Sequence, residues 1–191
     1  MSISDLSLEV LRDIEQELPM ICDNPYINVY DNLVRIASKL RKYKNEDSLI
    51  GVAHMAYGWM PTIIDFDTSS IDMVNFFQNA ESGSIDTEFL NSLKLMVSNS
   101  IVGASKVLHF FFPDKYPIWD SNVYQVITKK FPYNYRVNEV RIYQQYVLKL
   151  RELTTRRKEV ETLKENLISK GYCSQEATNI RVLELILFYS H

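Results

Sequence analysis

The chain is expected to fold as an all-α protein, and three features of its sequence say so. Apolar residues recur at i, i+3 or i+4 and i+7 along most of its length, which is the spacing of one helix face. Alternating strand patterns and Asn-Gly hairpins are absent. Only 5 glycines and 6 prolines occur in 191 residues, most of them at breaks between periodic segments.

Taken in order, "SLEVLRDIEQEL" and "NVYDNLVRIASKLRKY" open the chain as amphipathic helices. "DSLIGVAHMAY" follows, then "SSIDMVNFFQNA" with Ser69 and Ser70 as caps, and "DTEFLNSLKLMVSN" starting at Asp86. "GASKVLHFFF" must stop at "PDKYP", because Pro113 and Pro117 cannot continue a helix and bias the preceding residues to extended backbone. "DSN" then offers three good cap residues before "VYQVITKKF". The pattern continues through one long segment, "VNEVRIYQQYVLKLRELTTRRKEVETLKENLISK", ended by Gly171, and closes with "SQEATNIRVLELILFYS". Nine or ten helices are expected in one globular unit over residues 1–191, without repeats or a long linker.

Composition narrows the function classes. No apolar run approaches the about 20 residues that span a bilayer, and the start "MSISDLSLEV" has neither a basic region nor an apolar stretch, so a cytoplasmic protein without a membrane partner is expected. Cys22 and Cys173 are the only cysteines, which excludes a disulfide framework, a four-cysteine zinc site and a four-cysteine iron–sulfur cluster. Buried free thiols are the expectation. Net charge is −3, yet residues 1–100 carry 7 Lys and Arg against 15 Asp and Glu, whereas residues 101–191 carry 14 against 9. A basic second half permits one face to meet phosphate while the whole chain stays acidic.

The most informative stretch is "KYPIWDSNVYQV", Lys115 to Val126. Asp120 falls at a helix N-terminus, where backbone N–H groups and the helix dipole favour the anion, while Ile118 and Trp119 draw it into an apolar setting. Such a carboxylate is ionisable yet dry enough to act strongly on a nearby charge.

"VGAS", an apolar helix and then "YPIWDSNVYQV" resemble the helix-hairpin-helix superfamily of DNA base-excision glycosylases, which includes endonuclease III and the adenine glycosylases. The match covers Ile101 to about Ile127, with Pro117, Ile118, Asp120, Asn122, Val123 and Val126 in register with the family's aspartate element. A fainter echo lies in "LIGVAHMAY", which is similar to the family's early pocket helix. Only the last glycine of the family's hairpin is present, as Gly103, and Ser105 stands at its Lys-or-Ser position.

That resemblance implies a two-lobed helical bundle with a helix-hairpin-helix element, residues 98–106, at the cleft between lobes. Residues 1–44 and 131–191 would form one lobe and residues 45–130 the other. It implies an enzyme acting on double-stranded DNA, which flips a damaged or modified base and hydrolyses its N-glycosidic bond. A monomer is expected, without a cofactor or metal, and the cysteines that bind an iron–sulfur cluster in some branches of the family are missing. Asp120 is the implied catalytic carboxylate, stabilising the sugar cation or activating water. Ser105 argues for a monofunctional glycosylase, with Lys106 or Lys94 as the nucleophile should lyase activity exist. Gly103, Ala104, Ser105, Lys106 and Asn122 are the implied DNA contacts, and Tyr57, Trp59 and Trp119 the aromatics of a base pocket or wedge. Gly51 stands where the adenine branch carries a glutamate acid, which argues against adenine and leaves oxidised purines, alkylated bases and enlarged cytosines as substrates.

Simpler roles stand beside these. Asp120 can be only a cap, and Tyr57, Trp59 and Trp119 only core. His54 and His109 lie on apolar helices with no metal-ligand spacing and are expected as satisfied core residues. "TTRRKEV" is expected to be solvated. The alternative to an enzyme is a non-catalytic helical module of the same fold that binds DNA or a protein.

Overall fold

A computed structural model describes residues 3–59, 65–69 and 71–190. Among them are eleven α-helices and two single 3-10 turns, and the sole β feature is an isolated bridge between Phe66 and Val97. The all-α expectation therefore holds. In chain order the helices are α1 (Leu8–Glu17), α2 (Pro25–Leu40), α3 (Glu46–Trp59), α4 (Met73–Ser82), α5 (Thr87–Met96), α6 (Ile101–Phe111), α7 (Ser121–Thr128), α8 (Asn134–Val137), α9 (Val140–Leu153), α10 (Arg157–Ser169) and α11 (Asn179–Tyr189).

Caps decide most of these starts. Ser7, Asn24, Asp72, Asp86, Ser100, Asp120 and Thr178 each accept a backbone N–H of the first turn, satisfying donors that have no partner within the helix. Asp72 rather than Ser69 caps α4; Ser70, the other expected cap, lies outside the described residues. The long pattern over residues 137–170 divides at residues 154–156 into α9 and α10. Arg156 is drawn there into ion pairs with Glu159 at 2.7 Å and Glu9 at 3.3 Å, which tie α10 to α1. The last helix starts at Asn179, five residues later than its pattern suggests, because Thr178 caps it and also donates to Pro113 O at 2.7 Å.

The helices pack into one continuous apolar core. α6 is its axis, with α2, α3 and α5 against it, while α11 packs on α1, α7 and α10. Every side chain of α6 from Gly103 to Phe111 is buried. Between α5 and α6 the chain reverses through residues 97–100, with Ser98 (φ 50°) and Asn99 (φ 51°) in the left-handed region. Residues 65–67 brace that turn: Ser98 N donates to Asp65 O at 2.9 Å and Asp67 N to Met96 O at 3.0 Å. Of the expected hairpin 98–106, residues 101–106 are thus the opening of α6 itself.

Gly103 is required by packing. A Cβ there would fall inside the van der Waals radii of Tyr57 Oη on α3 and Val97 Cγ1. Gly103→Ala is expected to destabilise the fold by about 1–3 kcal/mol, as overpacking of a filled core does. Urea unfolding checks it, and Tyr57→Phe in the same chain should restore part of the loss by removing the hydroxyl.

Candidate functional site

Between α6 and α7 the chain runs extended through residues 116–120 inside the protein, where its backbone groups have no strand to pair with. Side chains satisfy them instead. His109 Nδ1 donates to Tyr116 O at 2.7 Å, and Tyr143 Oη donates to Pro117 O at 3.2 Å. Ile118 N donates to Glu184 Oε2 at 2.9 Å and Trp119 N to Ser105 Oγ at 3.0 Å. Asp120 O receives Tyr124 N of α7. The segment is thereby bolted to α6, α9 and α11, and the direction of Asp120 is fixed.

Asp120 caps α7, its Oδ1 accepting Val123 N at 2.9 Å, and is 9% exposed. Burial raises its pKa, opposed by the backbone N–H groups and by the charge of Lys106. Lys106, on α6, is 7% exposed, and burial lowers its pKa while Asp120 pulls the other way. In both groups desolvation outweighs mutual attraction, so each is shifted toward its neutral form. The Lys106 ammonium has neither a hydrogen bond nor an ion pair among the described residues, which is unusual for a lysine this buried.

Lys106 also lines a cavity of about 590 Å³ between the start of α2, the end of α3, the extended segment and α11. Its walls are mostly apolar and aromatic, with Tyr26, Trp59, Ile118 and Tyr189 among them. Polar groups converge from Asn24, Lys106, Arg181 and Glu184. A concave apolar site with a few placed polar groups is the usual form of a small-molecule pocket. Asp120 is not among the lining residues; it lies two positions beyond Ile118, within electrostatic reach of Lys106, Arg181 and Glu184.

Arg181 and Glu184, three residues apart on α11, form a fully buried ion pair, and the Arg181 guanidinium lies 4.4 Å from the centroid of Tyr30. Arg181 Nε is buried with no hydrogen-bond partner among the described residues. Burial lifts the Glu184 carboxyl to about 7 against the pull of Arg181. Behind them, His109 Nδ1 faces a carbonyl and so carries the ring proton, leaving Nε2 to accept Tyr30 Oη at 2.6 Å. Burial, with Arg181 second, holds His109 down at about 3, so the imidazole is neutral and its 3.7 Å approach to Glu184 is not an ion pair.

The structure brings together only part of the expected site. Asp120, Lys106 and Trp59 gather at or beside the cavity. Lys94 does not join them: it is on α5 and donates to Asn138 O at 3.2 Å. Trp119 is wholly buried, with Nε1 donating to Val137 O at 2.8 Å and its ring against Tyr146, so it is core rather than pocket. Tyr57 is packed over Gly103 away from the cavity. Gly103, Ala104 and Ser105, expected at a phosphate, are buried: Gly103 N donates to Ser100 Oγ, and the Ser105 hydroxyl joins Val102 O to Trp119 N. Asn122 is half-buried in the first turn of α7. His54 is exposed, bonding only Ile50 O, whereas His109 is the satisfied core histidine expected. Neither thiol is fully buried, since Cys22 is exposed and Cys173 half-buried.

Sequence reasoning missed Arg181 and Glu184. Their signal is "NIRVLELILFY", two opposite charges at i, i+3 in an otherwise apolar helix, which marks a buried pair. Compared with family models, curated proteins and solved structures, the chain gives no match.

The buried histidine gives a pH signature. An unfolded His109 takes a proton below about 6.5 that the folded site refuses until about 3, so this group stabilises the fold at neutral pH and loses that contribution as pH falls through this window. Glu184, raised in the fold, acts with the opposite sign between about 4.5 and 7. In urea titrations, the stability of wild type relative to His109→Gln should decline as pH drops from 6.5 toward 4, because glutamine keeps both hydrogen bonds without titrating.

Proposed function

We propose that the protein is a DNA glycosylase, with Asp120 as the carboxylate that acts on the sugar and the cavity behind Lys106 as the receptacle for the flipped base. The observation that carries this reading is a buried, helix-capping aspartate set beside an unpartnered buried lysine at the edge of an aromatic-walled cavity. A nucleobase leaving the stack needs a flat apolar slot and polar groups for its edge. Trp59, Tyr26 and Tyr189 supply the first, and Asn24 with the Glu184–Arg181 pair the second.

As the glycosidic bond breaks, the departing base takes the bonding electrons and the sugar becomes cationic. A fixed carboxylate in a dry site stabilises that charge or takes a proton from the attacking water. Burial raises the Asp120 pKa, against the pull of its cap N–H groups and of Lys106, which favours its taking up a proton. Lys106, made more readily neutral by burial, would be the nucleophile of a bifunctional variant in preference to Lys94. Its amine adds to C1′ as the base departs, and loss of the N–H protons with opening of the C1′–O4′ bond, whose oxygen takes a proton, gives the imine. In this reading the α5–α6 turn is the DNA-facing hairpin, with exposed Ser98 and Asn99 at its tip, and the two lobes are residues 45–130, with α3–α7, and residues 1–44 with 131–191, with α1, α2 and α8–α11.

Duplexes carrying a panel of damaged and modified bases, followed by hot alkali, test it. Wild type should yield cleaved strands and Asp120→Asn essentially none, with unchanged helicity, because asparagine caps a helix as well as aspartate does. Full activity in Asp120→Asn sinks the catalytic reading. Borohydride should trap a covalent protein–DNA complex in wild type but not in Lys106→Ala if the lysine forms the imine; alkali-labile product without trapping assigns the monofunctional reaction.

One observation favours a non-catalytic reading: Asp120 is engaged as a cap and does not line the cavity. Salt-sensitive duplex binding with no abasic product from any substrate would establish that reading instead.

A further inference from the structure

The loop from the end of α7 to α8 carries a feature that the cavity does not use. Phe131, Tyr133 and Tyr135 are 65%, 50% and 70% exposed, and they are neighbours. Tyr133 and Tyr135 stack with their planes 10° apart and centroids 5.9 Å apart, and Phe131 lies 4.7 Å from Tyr133. The Arg136 guanidinium sits 5.1 Å from the Tyr133 centroid and 5.5 Å from that of Tyr135. Lys129 and Lys130, both exposed, lead into the group.

The patch is held from below. Directly after it, Val137 O accepts Trp119 Nε1, Asn138 Oδ1 accepts Ile101 N at the start of α6, and Asn138 O accepts Lys94. The base of the ring ladder is thus tied to the core beside Asp120 and to the α5–α6 turn. Rings arranged in advance lose little freedom on binding.

We propose that this ladder is a binding platform for unpaired bases of a single-stranded nucleic acid, with Lys129, Lys130 and Arg136 meeting its phosphates. Three exposed rings flanked by cations match a ligand that offers flat apolar faces and regular negative charge together. Bases in an intact duplex have their faces covered by neighbours, so the ladder selects the single strand. Residues 129–136 hold three positive charges and no acidic residue, in a chain whose net charge is −3, so the complementarity is local to the patch. This inference does not require the cavity to be catalytic.

The test is fluorescence anisotropy with labelled oligo(dT), its duplex with oligo(dA), and vesicles of anionic phosphatidylglycerol in parallel. Wild type should bind oligo(dT) more tightly than the duplex. Tyr133→Ala/Tyr135→Ala should weaken oligo(dT) binding about tenfold or more, and Tyr133→Phe/Tyr135→Phe should bind like wild type, since the ring and not the hydroxyl stacks. Lys129→Ala/Lys130→Ala should lower the slope of log affinity against log salt by about 1.4. All these side chains are solvent-facing, so circular dichroism and melting should be unchanged. Equal oligo(dT) affinity in wild type and the double alanine variant overturns the proposal, as does preference for duplex. Loss in that variant of vesicle binding alone, or of self-association in sedimentation, also overturns it by assigning the rings to a membrane or to a second copy.

Discussion

Five residues of extended chain, Tyr116 to Asp120, run through the interior without a strand partner, and the arrangement of the surrounding helices depends on satisfying them. An unpaired buried N–H or C=O costs about as much as a lost hydrogen bond, and prolines at 113 and 117 prevent a helix from absorbing the segment. The solution recruits His109 and Ser105 from α6, Tyr143 from α9 and Glu184 from α11. Three helices distant in sequence are locked around one strand-like segment. Ser105 serves as a bolt here, and its 0% exposure follows from that role.

Glu184 shows how this constraint spreads. Its carboxylate must be buried to reach Ile118 N–H, and a buried carboxylate needs compensation. Arg181 provides it from one turn earlier, and the guanidinium in turn lies over Tyr30, whose hydroxyl closes onto His109. A single backbone hydrogen bond has drawn in an ion pair, a cation–π contact and a neutral histidine. Arg181 and Glu184 line the cavity with Tyr30 and His109 behind them, so two of the polar groups available to a ligand already hold the fold.

Lys106 is different, because nothing structural uses its charge. Its stem is buried while the ammonium opens into the cavity with no hydrogen bond or ion pair among the described residues, so packing alone would be served as well by an apolar residue. A lysine that packing does not require, facing a cavity next to a buried carboxylate, is the kind of departure that marks a candidate functional site. The exposed rings of Phe131, Tyr133 and Tyr135 are a second departure of the same kind, apolar surface left in water beside cations where packing had no need of it.

Some of this was legible in the chain alone. Helix spacing, the aspartate and serine caps and the prolines around residue 115 act over a few residues, so the all-α class, the start of α7 and the capping position of Asp120 follow from local rules. Other features depend on contacts across the fold. α6 is buried on every side, so its periodicity gives no clue that Lys106 faces a cavity while Ser105 faces the extended segment. Trp59 and Trp119 are alike as sequence, and only packing puts one in the cavity wall and the other in the core. The ion pair of Arg156 with Glu9 likewise joins α10 to a helix distant in sequence. Local backbone chemistry determined where helices begin and which residues can cap them; which side chains meet, and which buried charge is left without a partner, was decided by tertiary packing, because those energies belong to pairs of residues far apart in sequence.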